Sequence, residues 1–188
     1  GEVRIGASDM TLQFFLLPFL EQFHKEYPRI KVTVTNAPTP ETICSLEEGK
    51  IDFGVVTTPF SCKSTIHSMM VKPIGTVFIA GDSFGELKGK KLDYSILGSM
   101  PCIFLEKNTS TRAFMDAFLS AKGMELTPEF ELATSDMIVQ FAKRNMGVGC
   151  VMDGFAKDAI AKGEVFELDF KEKMPLRHIC VVTGENSL

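Results

Sequence analysis

No apolar run in this chain reaches the ~18 residues that a membrane-spanning helix needs. The longest, Phe14 to Leu20, contains Pro18 and stops at Glu21. No basic and apolar leader opens the sequence, and the expected location is the cytoplasm. Positive charge is also scarce: 20 Lys and Arg stand against 24 Asp and Glu, a net charge of −4. Nucleic-acid-binding domains are usually basic, so this balance argues against direct DNA binding by the chain itself. The five cysteines, Cys44, Cys62, Cys102, Cys150 and Cys180, form no CxxC and no metal-ligand spacing. They read as free thiols in a reducing compartment. There is no GxSxG elbow, HExxH or P-loop, and no GxGxxG in a strand-to-helix setting. His24, His67 and His178 are scattered. The expectation is therefore a chain that is not an enzyme and needs no cofactor or metal.

What is present is hydrophobic and periodic. At 45% hydrophobic content, 188 residues can bury the cores of two small lobes of about 100 residues each. Arg4-Ile5-Gly6-Ala7 reads as a strand that breaks into Ser8-Asp9-Met10-Thr11 before an apolar helix. Tyr27-Pro28 ends that helix, because proline disfavours a helical residue before it. Ile30 to Thr35 alternates as a strand does, Pro40 or Glu41 starts a second helix, and Gly49 closes it before the strand Ile51 to Val56. That β-α-β-α-β order implies a parallel sheet.

The same punctuation returns from Cys102. A strand, a hydroxyl-rich turn, a helix carrying Phe114, Phe118 and Leu119, a proline and a strand follow in turn. Then come the cap Thr134-Ser135-Asp136, a helix, the stop at Gly147 and a strand ending at Met152. Val77 to Ala80 forms a further strand, and Leu176 to Val182 is left over to return to the first lobe. The expected architecture is α/β: two Rossmann-like lobes, residues 1–73 plus 153–188 and residues 74–152. Two crossover segments, near Lys72 to Thr76 and near Val151 to Gly154, form the expected hinge.

Each lobe places Ser/Thr-rich turns at carboxyl ends of strands: Ser8 and Thr11, Asn36 and Thr39, Thr57 and Thr58, Asn108 to Thr111, and Thr134 and Ser135. Singly, such residues serve as helix caps. Gathered at one edge, hydroxyls and free amides can hold a small polar, anionic ligand without a permanent counter-charge. Arg112 could pair with that ligand or hold its own loop. Asp153 could cap the next helix or face the ligand as an acid.

In order along the chain, Arg4-Ile5-Gly6, Leu16-Leu17-Pro18, Phe23, Tyr27-Pro28, Leu46 and Gly49-Lys50-Ile51-Asp52-Phe53-Gly54-Val55 form a pattern. Thr111-Arg112, Gly123 and Gly147-Val148-Gly149 continue it. The pattern resembles the effector-binding domain of LysR-type transcriptional regulators, which is similar in fold to type 2 periplasmic binding proteins. The resemblance implies an effector held between the lobes by Ser8, Asp9, Met10, Thr11, Asn36, Thr39, Thr57, Asn108, Thr109, Ser110, Thr134 and Ser135, with Met152 and Asp153 at the second crossing. It also implies a head-to-tail homodimer using Leu16, Phe19, Leu20 and Phe23 against Phe114, Phe118 and Leu119. A full-length tetramer would read DNA through an N-terminal winged helix-turn-helix that is absent from this sequence. Met152-Asp153-Gly154 stands where the family often carries a Leu-Pro pair, so a ligand identity cannot be carried over. The competing expectation is a transporter's solute-binding protein.

Overall fold

The computed structural model describes residues 1–185. The chain opens with β1 (Glu2–Ala7) and a continuous helical run made of α1 (Asp9–Thr11), a π-helical turn (Leu12–Leu16) and α2 (Leu17–Glu26). Ser8 starts the run as an N-cap in a capping box with Thr11. Pro18 has no N–H to give, and the ladder widens so that the Leu17 N–H reaches the Leu12 carbonyl. Next come β2 (Lys31–Asn36), α3 (Thr39–Glu47), β3 (Phe53–Thr57) and β4 (His67–Ile74). Gly49, at φ 73°, supplies the left-handed turn that ends α3.

The second stretch carries β5 (Thr76–Ala80), β6 (Lys91–Leu92), β7 (Cys102–Leu105), α4 (Ser110–Ser120), β8 (Phe130–Leu132), α5 (Ser135–Lys143) and β9 (Val148–Met152). It continues through α6 (Asp153–Ala161), β10 (Phe166–Glu167) and β11 (Asp169–Phe170), and β12 (Arg177–Thr183) follows. Short 3-10 helices at Asp82–Leu87 and Tyr94–Ser99 lie between β5 and β7.

Two compact units result. Unit 1 holds Gly1–Pro73, Asn108–Ser110 and the chain from Arg177 onward; unit 2 holds Ile74–Lys107 and Thr111–Leu176. The sheet of unit 1 runs β2-β1-β3-β12-β4, with β1 parallel to β2 and β3, and β12 antiparallel to β3. The leftover strand therefore does return to the first sheet. The main sheet of unit 2 runs β10-β5-β9-β7-β8, with β7 parallel to β8 and β9, and β5 antiparallel to β9. Helix α3 sits close on its sheet because Gly6 and Gly54 have no Cβ; one added there would lie 2.8 Å and 2.9 Å from the Thr42 methyl.

The expected second boundary at residue 153 is corrected. Asp153–Leu176 groups with unit 2, and the final return to unit 1 comes at Arg177. The reason is apolar burial. Ala156 and Ala159 of α6 join Ile79, Ile103 and Val151 in one cluster, while Leu168 and Phe170 join Phe78 and Tyr94 in another. The last residues of that expected segment, 186–188, lie outside the described residues. A second difference is the turn Asn108–Ser110, expected in the second lobe and grouped with unit 1.

Candidate functional site

At the carboxyl edge of β1, β2 and β3, four turns of unit 1 are joined by side-chain hydrogen bonds. Register places Ala7 opposite Asn36 and Val55, so β1 and β2 end level and β3 runs on to Thr57. Asn36 donates through Nδ2 to Asp9 Oδ1 at 2.5 Å. The Thr11 hydroxyl donates to the Val55 carbonyl at 2.8 Å, and the Ser8 N–H donates to Thr11 Oγ1 at 3.0 Å. The Thr57 N–H donates to Thr39 Oγ1 at 3.2 Å. The hydroxyls of Thr57 and Ser110 share a hydrogen bond, and Asn108 Nδ2 donates to Glu41 Oε1 at 3.4 Å.

Ten of the expected contact residues thus fall within unit 1, but not with one character. Thr11, Thr39, Thr57 and Ser110 are buried, and Met10 is also buried; the hydroxyls bond inside the protein. Ser8, Asp9 and Thr109 are half-buried, and Asn36 and Asn108 are exposed. The first group frames the rim and the second lines it. Glu41 is a rim residue that the sequence reading missed; its place at the start of α3 was the available signal.

In unit 2 the corresponding strands β7, β8 and β9 also run parallel, and the starts of α5 and α6 follow the carboxyl ends of β8 and β9. Thr134 caps α5, accepting the Met137 N–H at 3.4 Å, and Ser135 and Met152 are buried. Asp153 is the first residue of α6 rather than its cap: Met152 holds the cap position, its Sδ accepting the Gly154 N–H. The Asp153 N–H donates to the Gly75 carbonyl at 2.9 Å. Arg112 resolves toward its loop. Its side chain is buried and bonds the Leu105 carbonyl at 2.9 Å, Glu131 at 2.9 Å and Asp116 at 3.0 Å.

Residues expected at a dimer interface divide in the same way. Phe19 is 59% exposed and its neighbour Leu17 57%, while Leu20, Phe23, Phe114 and Phe118 are half-buried. Leu16 and Leu119 are corrected: at 5% and 1% exposure they belong to the interior and offer no surface to a partner.

A separate groove of about 440 Å³ lies around Arg4, Leu46, Ile51, Asp52, Thr65, Ile66 and Glu185 of unit 1. Arg4 and Asp52 pair there at 3.1 Å, and the hydrogen bond from Arg4 holds the Asp52 carboxyl below the usual carboxylate range. Among the described residues no cluster of His, Cys, Asp and Glu is placed to hold a metal. No helix among them is long and apolar enough to cross a membrane. Burial pushes the Cys102 thiol up to about 11, the opposite of what a reactive thiolate needs.

The LysR substrate binding domain family matches residues 1–188. The chain belongs to that family. A curated relative, the HTH-type transcriptional regulator CysL of Bacillus subtilis, is 23% identical over 193 residues, covering 100% of this chain and 63% of the relative. Other curated relatives are spanned to 57% of their length, so the chain corresponds to somewhat more than half of such regulators. The CcmR regulatory domain of Synechocystis, solved in complex with 2-PG, superposes with a TM-score of 0.86 at 19% identity, covering 100% of this chain and 89% of that one. The effector binding domain of QuiR, solved in complex with shikimate, gives 0.83 at 14% identity, covering 99% and 88%. At these identities the structures establish a shared fold: this LysR domain has the type 2 periplasmic-binding-protein-like architecture.

Proposed function

We propose that this LysR domain senses a small polar, anion-bearing metabolite and passes its occupancy to a DNA-binding segment of a longer regulator. The observation that carries the proposal is the rim of unit 1, where Ser8, Asp9, Asn36, Asn108 and Thr109 stand beside a framework of buried, internally bonded hydroxyls. A rim whose own framework groups are satisfied is preorganised, so a guest pays little for ordering them. Met10, Thr11, Thr39, Thr57 and Ser110 hold that framework. Thr134, Ser135, Met152 and Asp153 are the contacts proposed from unit 2. One neighbour is bound to 2-PG and another to shikimate, a carboxylate, which supports an anionic guest here.

Ligand can shift a regulator only through its differential affinity for two arrangements, so no chemistry on the guest is required. The domain is read as non-enzymatic and as acting in the cytoplasm. The match to transcriptional regulators favours this over a transporter's solute-binding protein. A head-to-tail homodimer through Phe19, Leu20 and Phe23 against Phe114 and Phe118, and a tetramer at full length, complete the reading. A calorimetric screen of carboxylate and phosphate metabolites tests it. Binding weakened by Ser8→Ala and Asn108→Ala is the expected result; affinity indifferent to both variants would remove the rim from the account.

A further inference from the structure

The groove around Arg4 and Asp52 lies within unit 1, at the other end of the strands from the rim. Register sets Phe53, the first residue of β3, opposite Ile5 of β1 and Thr183 of β12. Arg4, Asp52 and Gly184, each one residue beyond those pairs, therefore meet at one sheet edge, where the Asp52 N–H donates to the Arg4 carbonyl at 2.7 Å. Helix α3 finishes at the same place, so that Leu46, Glu47 and Gly49 also line the groove. Its volume of about 440 Å³ suits a small molecule. One wall is apolar: Leu46 and Ile51 are each 5% exposed, and Ile66 is half-buried.

The charge of the groove is unbalanced. Among the described residues that line it, Glu47, Asp52 and Glu185 stand against a single cation, Arg4. Arg4 is committed to Asp52, which accepts its guanidinium at 3.1 Å and its backbone N–H at 2.7 Å. Glu47 and Glu185 remain as net negative charge. The nearby lysines serve a different acid: Lys50 pairs with Glu48 at 2.7 Å, and Lys50 and then Lys63 hold the Glu48 carboxyl below its usual range. Lys63 meets Glu47 through its backbone N–H, at 2.8 Å. The carbonyl end of α3 adds partial negative charge, which favours a cation beside the last turn.

We propose that this groove is a second ligand site, one that takes a small aliphatic amine. Glu47 and Glu185 hold the ammonium group, and the hydrocarbon body lies on Leu46, Ile51 and Ile66. The site differs from the rim in position and in the sign of charge it selects. Thr39, at the start of α3, belongs to the rim, and Glu47, at its end, to the groove. The inference does not rest on the effector reading above.

Proton–nitrogen correlation NMR of this chain, titrated with n-hexylamine at about neutral pH, tests it. Saturable shifts are expected at the amides of Leu46, Gly49, Ile51, Asp52 and Ile66, with those of residues 8–11 and 57–58 unmoved. Ethylamine, which is shorter by about four methylenes, binds at least about tenfold more weakly. Hexanoate leaves the groove amides where they were. Glu47→Gln and Glu185→Gln each weaken hexylamine about two- to five-fold, the size of a partly exposed ion pair. Glu47→Gln keeps an oxygen that can accept the Lys63 N–H, and Glu185 is exposed beyond β12, so both variants are expected to fold. Hexanoate moving the groove amides as far as hexylamine does, or equal affinity for the two amines, would overturn the proposal. Unchanged affinity in both glutamine variants, or no saturable shift at the groove, would overturn it too. Failure here leaves the effector reading standing, since that reading falls only if Ser8→Ala and Asn108→Ala leave metabolite affinity unchanged.

Discussion

Phe78, Tyr94, Phe104 and Phe170 lie buried in unit 2, where the rings of Tyr94 and Phe170 stack with centroids 4.0 Å apart. In unit 1 no aromatic residue among the described ones is buried; Phe15 and Phe19 pair at 5.1 Å, Phe23 and Tyr27 at 5.1 Å, and Phe19 and Tyr27 are exposed. Both units repeat one plan, parallel strands with helices across them, yet unit 2 buries four rings fully, while unit 1 half-buries most of its rings and leaves Phe19 and Tyr27 exposed. An aromatic side chain carries a large apolar area, so a unit that buries its rings draws stability from within. A unit that keeps them outside has surface to offer a partner.

The contrast breaks first in unit 2. Phe104→Ala, at a fully buried ring beneath the Arg112 guanidinium, costs about 3–5 kcal/mol of unfolding free energy by urea titration. A loss below about 1 kcal/mol would mean that unit 2 does not depend on its rings. Next is Arg112→Ala, which strands the Leu105 carbonyl and removes the partner of Asp116 and Glu131. Bonds to a charged group make it cost about 2–3 kcal/mol on the same titration, discounted from the fully buried case because both acids are partly exposed.

In unit 1 the corresponding change is expected to be nearly silent for folding. Phe19→Ser shifts stability by no more than about 0.5 kcal/mol, because the ring is mostly exposed already. Its effect appears in light scattering, as dimer converted to monomer at tens of micromolar. A monomeric parent would remove the reason given for the exposed rings. The smallest effect belongs to the Arg4–Asp52 pair. The folded Asp52 carboxyl is held low, so its contribution is present above the ordinary carboxylate range and is lost as pH falls through the depressed value. Asp52→Asn flattens that acid-side slope slightly, since both partners are about 40% exposed. An unchanged slope would show the pair to be silent.

Much of this plan was legible in the residues. Ser8, Tyr27-Pro28, Gly49 and the cap before α5 are local signals that need no distant partner, and each falls at an element end. The return of β12 was legible because an apolar strand without a helix of its own must pair somewhere. The boundary after Met152 was not legible. Whether α6 packs on one sheet or another turns on two alanines, Ala156 and Ala159, that any helix could carry. The role of Arg112 was undecided in sequence because its acids stand four and nineteen residues away. Arg177 escaped notice for the same reason: its partner Thr58 is 119 residues distant.

The central claim places the effector at the carboxyl edge of β1, β2 and β3. Hydrogen–deuterium exchange with and without the tightest-binding metabolite of the calorimetric screen tests it most directly. The account predicts slowed exchange in residues 8–11, 36–39, 57–58 and 108–110. Protection confined to the opposite groove, at Arg4, Ile51, Asp52 and Ile66, would contradict it.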